Sequence, residues 1–258
     1  MGGFPEGAPC WADATLSDLA AGKRFYGALM GWTFDEDAEE RYGHYTTAFS
    51  GGKRVAALVP KRDGRMPTAW GVYFAAPDVA ALAVRIRAAG GQLVTDPVQV
   101  PPYGTMAVAA DPGGAVFGLW QAGEHAGFEK SGEPGAFCWT EVYARDTARA
   151  DRFYEAVFGF EGRDLDETDG DYRTWSPAGS APGPDTAFGG RCLLGDAFPA
   201  EMPDHFLVYF AVGDCDATAA ACRELGGRVT AEPVDIPYGR MAVLTDDQGA
   251  SFAILQKE

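Results

Sequence analysis

The sequence has few histidines, few basic residues and no long apolar run. Three histidines and five scattered cysteines without a C-x-x-C pair argue against a thiolate zinc site and a disulfide framework, and they fit a reducing cytoplasm. The formal net charge of −16 disfavours nucleic acid and anionic membranes as partners, because such a surface repels phosphate groups. No stretch approaches the roughly 20 apolar residues that span a bilayer, and the start of the chain carries neither a secretion nor a myristoylation signal.

The sequence has the composition of a globular protein, and its motifs occur twice along the chain. Apolar residues make up 47% and charged residues 22% of 258, which is typical of a folded chain. The clearest repeats are Cys10-Trp11-Ala12-Asp13 with Cys138-Trp139-Thr140-Glu141, Arg24-Phe25-Tyr26 with Arg152-Phe153-Tyr154, and Pro102-Tyr103-Gly104 with Pro237-Tyr238-Gly239. The sequence therefore predicts two homologous domains, 8–122 and 136–258, joined by a Gly- and Pro-rich linker at 123–135.

Each half contains two predicted helices, and each helix follows a short alternating run. The predicted N-caps are Asp18, Asp78, Asp146 and Asp214. An aspartate side chain satisfies the first unpaired N–H groups of a helix, and glycines such as Gly31 permit the left-handed turn that ends it. Short β-type runs follow every helix. The pattern indicates a unit of strand, helix and three strands that occurs four times.

This order of motifs resembles the vicinal-oxygen-chelate superfamily, which includes glyoxalase I, bleomycin-resistance proteins and extradiol dioxygenases. The resemblance is carried by Arg-Phe-Tyr followed by Gly-Trp or Gly-Phe, by Gly90-Gly91 after the second helix, and by the turn Asp111-Pro112-Gly113-Gly114 with Phe117. The set is similar to the two-domain bacterial glyoxalase-like members, often labelled hydroxylases. It implies an α+β fold of two tandem glyoxalase-like domains, each built from two βαβββ modules that form a cup-shaped sheet. One chain would then mimic a dimer of single domains, as a monomer or within a homodimer.

Strand alternation predicts which side chains line each cup. In the first strand Cys10 and Ala12 suit the helix-packed side, so Trp11 and Asp13 should point inward. The equivalent strand of the second half places Trp139, Glu141 and Tyr143 inward. The other side chains that we expect on the inner faces are Tyr73, Trp120, His205 and Tyr209.

The resemblance also indicates where metal ligands would lie. In metal-using relatives, a His or Glu early in a module and a Glu or equivalent in its last strand converge on one ion. The corresponding residues here are Trp11, Gly71 and Gly118 in the first half and Trp139, Leu207 and Ala253 in the second. These side chains offer no lone pair to a transition metal. We therefore expect neither a metal nor another cofactor.

Two carboxylates are the strongest catalytic candidates. Asp13 and Glu141 should be desolvated on an aromatic inner face, which would raise the pKa of each and suit general acid or base work. The alternative is that each accepts hydrogen bonds and holds the sheet in place. Tyr73 and Tyr209 could steady an oxyanion, or pack as cup walls. His205 could act as a base, or serve a structural role.

These features predict metal-independent handling of a small apolar or aromatic organic molecule. The step would be a proton transfer, as in an isomerase, a lyase or a hydroxylase-type enzyme, with Trp11, Trp139, Trp120, Tyr143 and His205 binding the ligand. The alternative is a non-catalytic protein that sequesters a compound, as antibiotic-resistance relatives do. Two acidic segments, 35–40 and 164–167, are predicted to be solvated loops that could draw cationic ligands.

Overall fold

The computed structural model describes residues 3–35, 42–165 and 171–257. Residues 36–40 and 166–167 of the two acidic segments lie outside the described residues, so the prediction for these loops stays a prediction. None of the helices that the structure describes has the length and apolar character needed to traverse a bilayer.

The predicted strand–helix–three-strand unit is confirmed in all four places. The first half forms β1 (Pro9–Leu16), α1 (Leu19–Met30), β2 (Thr33–Phe34), β3 (Thr46–Ser50), β4 (Lys53–Pro60), β5 (Ala69–Ala75), α2 (Val79–Ala88), β6 (Gln92–Val100), β7 (Gly104–Ala110) and β8 (Val116–Ala122). The second half forms β9 (Phe137–Ala144), α3 (Thr147–Phe158), β10 (Glu161–Asp164), β11 (Tyr172–Ser176), β12 (Gly189–Leu193), β13 (His205–Ala211), α4 (Cys215–Glu224), β14 (Arg228–Ile236), β15 (Gly239–Thr245) and β16 (Ser251–Gln256).

The strands form two eight-stranded sheets with the same topology. The first runs β2-β3-β4-β1-β5-β8-β7-β6 and the second β10-β11-β12-β9-β13-β16-β15-β14. In the first sheet β1 is parallel to β4, with Asp13 opposite Ala57. In the second, β9 is parallel to β12, with Glu141 opposite Gly190. The described strands leave both sheets open, since each order has two edge strands. This is the tandem glyoxalase-like α+β fold that the motifs predicted.

All four helices begin after the predicted aspartate N-caps, and α1 ends at the predicted Gly31. Asp18 accepts a hydrogen bond from the backbone N–H of Ala21 at 2.9 Å, and Gly31 ends α1 with φ of 68°. The second half repeats this arrangement, with Asp146 before α3 and Gly159 after it at φ of 70°. The left-handed backbone conformation after each helix explains why the residue is glycine, because a residue with a Cβ would be strained in it.

The chain divides into two compact units, and each unit takes segments from both sequence halves. Unit 1 comprises the N-terminal residues up to Trp11 with Val72–Gly127 and Thr140–Phe206. Unit 2 comprises Ala12–Gly71, Phe128–Trp139 and the chain from Leu207 onward. The predicted domain boundaries, 8–122 and 136–258 with a linker at 123–135, stay a prediction.

In unit 1, the Arg-Phe-Tyr motif of α3 supplies the centre of the core. Tyr154 has no exposed surface, and its hydroxyl donates to Asp111 Oδ2 at 3.1 Å. Asp111 Oδ1 in turn accepts from the backbone N–H groups of Gly113 and Ala115. Burial raises the pKa of Tyr154 well above its ordinary value, and the neighbouring carboxylate adds to the shift. The surrounding aromatic side chains are Phe74, Phe117, Phe153, Phe160, Trp175 and Phe206.

Unit 2 repeats this core with one additional hydrogen bond. Tyr26 is fully buried and donates to Asp246 Oδ2 at 2.8 Å, while Trp70 Nε1 donates to the Tyr26 hydroxyl at 2.9 Å. Burial again raises the pKa of Tyr26 well above its usual range. Trp32, of the Gly-Trp motif, stacks on Tyr26 with ring centroids 5.6 Å apart. The motifs that carry the family resemblance therefore build the cores of the two units.

Candidate functional site

The second sheet holds Glu141 as a buried carboxylate beside a tyrosine. Glu141 lies on β9 and is 7% exposed. Its Oε1 accepts a hydrogen bond from the hydroxyl of Tyr172, the first residue of β11. A hydrogen bond of this kind fixes the position of a carboxylate within the sheet. Both residues belong to unit 1.

The strand opposite Glu141 is shaped around the tyrosine. A methyl group added at Gly190 of β12 would lie 3.0 Å from the Tyr172 hydroxyl oxygen and 2.6 Å from the carbonyl oxygen of Arg173. Glycine at this position therefore leaves room for the tyrosine ring. Two residues further on, burial and the charge of Glu141 raise the pKa of the Cys192 thiol to about 12. A thiol with this pKa stays protonated near neutral pH and is a poor nucleophile.

Two predicted ligand-binding residues form an aromatic wall in the same unit. Tyr143 stacks on His205 with ring centroids 5.3 Å apart and planes at 6°. Phe198 meets Tyr143 from a second direction, with centroids 5.7 Å apart. His205 Nδ1 lies 2.9 Å from the carbonyl oxygen of Pro203. Because a carbonyl oxygen only accepts, Nδ1 carries the proton in this contact. Tyr143 and Glu141 are two residues apart along β9 and therefore share a face.

The first sheet repeats the carboxylate–tyrosine pair within unit 2. Asp13 is 7% exposed, and Tyr45, immediately before β3, donates from its hydroxyl to Asp13 Oδ2 at 3.1 Å. A Cβ added at Gly71 would lie 3.5 Å from Asp13 Oδ1, so the glycine and the carboxylate occupy one face. The acid and its tyrosine donor thus occur twice in the chain.

The two tyrosine donors were not identified from the sequence. Thr47 lies opposite Ala57 in the first sheet and Thr174 lies opposite Gly190 in the second. Tyr45 and Tyr172 each precede those threonines by two residues and are therefore equivalent. An alignment of the third strands of the two halves would have revealed this repeat. Only the acid of each acid–tyrosine pair was predicted from the sequence.

Three further candidates of the first sheet lie together in unit 1. The Tyr73 ring covers Gly118, since a Cβ at Gly118 would lie 2.1 Å from Tyr73 Cδ1. Trp11 and Trp120 both contact His125, with ring centroids 4.4 and 5.7 Å apart respectively. Sequence reasoning did not assign a role to His125.

The remaining candidates, Trp139 and Tyr209, belong to unit 2 together with Asp13. Trp139 is half-buried, and Tyr209 is 4% exposed and lies opposite Ala253 in the sheet register. The roles predicted for all nine candidate residues stay predictions.

The side chains at the predicted metal positions do not suit a metal. The indoles of Trp11 and Trp139, and the glycine, leucine and alanine residues that complete the two sets, carry no ligand atom for a divalent ion. In the part of the chain that the structure describes, no group of three or more His, Cys, Asp or Glu side chains is placed to hold an ion. The residues present therefore do not fit the metal of metal-using relatives.

Comparison with known proteins gives the same family for both halves. The family model of the Glyoxalase/Bleomycin resistance protein/Dioxygenase superfamily matches residues 11–119 and 136–254. The chain is 38% identical to the anthracycline biosynthesis protein DauV of Streptomyces sp. (strain C5), over 98% of this chain and 94% of that protein. It is also 38% identical to the "Putative glyoxylase CFP32" of Mycobacterium tuberculosis, over 98% of this chain and 96% of that protein.

Solved structures show the same fold at low sequence identity. The Mn(II)-bound glyoxalase from Novosphingobium aromaticivorans superposes with a TM-score of 0.64 at 17% identity, covering 98% of this chain and 84% of that one. A catechol 2,3-dioxygenase gives a TM-score of 0.62 at 16% identity, covering 98% and 89%. The matches to both halves and to full-length relatives agree with the repeated βαβββ architecture. The chain therefore belongs to the glyoxalase/bleomycin resistance protein/dioxygenase superfamily.

Proposed function

We propose that the protein binds a small apolar or aromatic organic molecule and moves a proton on it with a buried carboxylate. The observation that carries this proposal is the acid–tyrosine pair, Glu141 with Tyr172 and Asp13 with Tyr45. Each carboxylate is 7% exposed, so it is removed from most of the solvent that would otherwise compete for a proton.

The Glu141 site has the parts that such a step needs. The Tyr172 hydroxyl holds one carboxylate oxygen and so orients the group toward a substrate. The stacked rings of Tyr143 and His205 offer a flat apolar wall on the same unit. In an isomerase-type reaction, Glu141 would take a proton from carbon beside a carbonyl and return it to another carbon or oxygen of the same molecule. In a lyase-type dehydration, Glu141 would pass that proton to the hydroxyl group that leaves as water, as the C–O bond breaks and a C=C bond forms. Tyr73, which belongs to the same unit as Glu141, is proposed to steady the oxyanion that forms, and Tyr209 is proposed to do the same for Asp13 within unit 2.

The name of one relative supports an aromatic ligand. DauV is named for anthracycline biosynthesis, and anthracyclines are fused-ring aromatic compounds. The aromatic residues of unit 1 suit contact with such rings. We propose a metal-independent reaction because the residues at the metal positions do not fit an ion. A cytoplasmic location is likewise proposed from the five free cysteines.

The second candidate function is sequestration of the same class of compound. It is favoured by the aromatic wall of Tyr143, His205 and Phe198, which can bind a ring without reacting with it. In that case the carboxylates would only accept buried hydrogen bonds. The two functions use the same residues and differ in what the carboxylate does.

Binding can be tested first, without knowledge of the reaction. Purified protein should be titrated with an anthracycline, a naphthol and a catechol, and followed by thermal unfolding. A ligand at a hundred times its Kd should stabilise the protein by about 2.7 kcal/mol. Absence of any shift across the panel would contradict the proposed ligand class. For a compound that binds, Glu141→Gln should abolish its conversion in an enzyme and leave its Kd nearly unchanged in a sequestering protein.

A further inference from the structure

The chain places a histidine from the segment after β8 against the tryptophans of the first sheet. The His125 ring meets Trp11 edge-on, with centroids 4.4 Å apart and planes at 85°. It meets Trp120 with centroids 5.7 Å apart. Trp120 Nε1 donates a hydrogen bond to the carbonyl oxygen of His125 at 2.8 Å. One imidazole therefore covers two of the side chains predicted to bind ligand.

Backbone contacts hold the segment that carries His125. The backbone N–H groups of Gly123 and His125 both donate to the carbonyl oxygen of Tyr103, at 2.7 and 3.2 Å. Gly127 has φ of 119°, and a Cβ there would lie 2.3 Å from the carbonyl oxygen of Cys10. Only glycine permits this close approach to β1. None of these contacts uses the imidazole, so its removal leaves them in place.

Trp11, the tryptophan that His125 contacts edge-on, lies on the face of β1 that is predicted to point inward. Trp11 is only 4% exposed, although strand alternation puts it on the inner face with Asp13. It also stands where metal-using relatives carry a ligand. The imidazole therefore contacts two side chains that are predicted to point inward, Trp11 and Trp120.

We propose that His125 is an internal occupant of an aromatic site formed by Trp11 and Trp120. The wild-type protein then binds its flat aromatic ligand at the Glu141–Tyr172 site, and loss of the imidazole opens a second site for the same class of ligand. This inference rests on the proposed function for the ligand class. The contact between His125 and the two tryptophans does not depend on it.

The first measurement is acrylamide quenching of tryptophan fluorescence in the full chain. His125→Ala should raise the Stern–Volmer constant, because acrylamide gains access to Trp11. The rise should be smaller when His125→Ala is made in a Trp11→Phe background, because only Trp120 then gains access to acrylamide. Glu124→Ala is the matched control, since this exposed neighbour lies in the same segment, and it should leave the constant at the wild-type value. An unchanged constant in His125→Ala would overturn the inference.

The second measurement is the stoichiometry of anthracycline binding by isothermal titration. His125→Ala should bind one equivalent more than wild type, while His125→Phe should restore the wild-type stoichiometry because a ring again covers the tryptophans. The same stoichiometry in wild type and His125→Ala would overturn the inference. His125→Gln replaces His125→Ala if that variant does not fold. If no variant binds the anthracycline, the proposed function fails, and the quenching comparison still decides whether His125 covers Trp11.

Discussion

The two acid–tyrosine sites are equivalent in sequence and sheet register. They differ in how side-chain volume is divided between the acid and the residue opposite it on the neighbouring strand. In the first site Asp13 lies opposite Ala57, and in the second Glu141 lies opposite Gly190. Glu141 has one methylene more than Asp13, and Gly190 has one methyl group less than Ala57. Such an exchange conserves volume in a packed sheet. The comparison teaches that the repeat preserves the hydrogen-bonded acid while it changes how far the carboxylate reaches.

The largest expected effect concerns the carboxylates themselves. Glu141→Gln should lower turnover by about 10² to 10⁴, the usual loss for a missing general acid or base. Asp13→Asn should have a smaller effect if only the second site converts ligand, and an equal effect if both do. Turnover and melting temperature of both variants are the measurements.

Each outcome of the carboxylate test has a distinct meaning. Full activity in both variants would remove the two acids from the mechanism. Unfolding in both would favour the structural reading, in which the carboxylates only accept hydrogen bonds from buried donors. Tyr172→Phe provides a milder control, since it removes the donor and leaves the acid.

The second comparison sets the buried tyrosines of the two unit cores against each other. Tyr26 donates to Asp246 and accepts from Trp70, whereas the position equivalent to Trp70 is Phe206, which cannot donate. Tyr26→Phe should therefore cost about 3 kcal/mol of unfolding free energy and Tyr154→Phe about 1.5 kcal/mol, since buried groups left without a partner are each worth 1–3 kcal/mol. Urea midpoints measure both, and equal costs would contradict the role of the tryptophan bond.

A reciprocal pair of substitutions tests the exchange of volume between the two acid sites. Gly190→Ala should destabilise the protein by about 1–3 kcal/mol, because the new methyl would lie 2.6 Å from a backbone oxygen and 3.0 Å from the Tyr172 hydroxyl. Ala57→Gly should cost about 1–2 kcal/mol, because it adds the backbone entropy of glycine to the loss of a fully buried methyl group. Thermal unfolding measures both variants. A harmless Gly190→Ala would show that the strand shifts easily and that the glycine is not required by the tyrosine.

The last expected effect, which is absent near neutral pH, is an alkaline loss of stability. Burial raises the pKa of Tyr26 and Tyr154 well above the usual value, which is about 10 in an unfolded chain. The folded state therefore keeps its protons when the unfolded state loses them. Their contribution is fully present below about pH 10 and falls above it, by up to about 1.4 kcal/mol per pH unit for each tyrosine.

The control for the alkaline effect is an exposed tyrosine. Unfolding free energy measured between neutral pH and the alkaline limit should fall less steeply in Tyr26→Phe and Tyr154→Phe than in wild type. Tyr238→Phe should keep the wild-type slope, because that side chain is 47% exposed. The same slope in all four proteins would mean that other groups govern the alkaline limb.

Sequence patterns predicted most of the local structure, for local reasons. Asp18 and Gly31 mark the ends of α1 because capping and a left-handed turn act within one helical turn. Alternation in β1 predicted that Trp11 and Asp13 share one face, since side chains of a strand alternate whatever the strand packs against. The repeat indicated that each prediction for one half should hold for the other.

The sequence by itself determined the four βαβββ modules, the two-fold repeat and the positions of both acids. Only the tertiary structure decided that Tyr26 meets Asp246 and Tyr154 meets Asp111, so that the Arg-Phe-Tyr motif builds a core and not a site. It also decided that Tyr45 and Tyr172 hold the acids, and that His125 covers Trp11. The physical reason is that propensity, capping and alternation act between near neighbours in the chain. Contacts between distant strands, helices and connecting segments depend instead on how the folded elements pack.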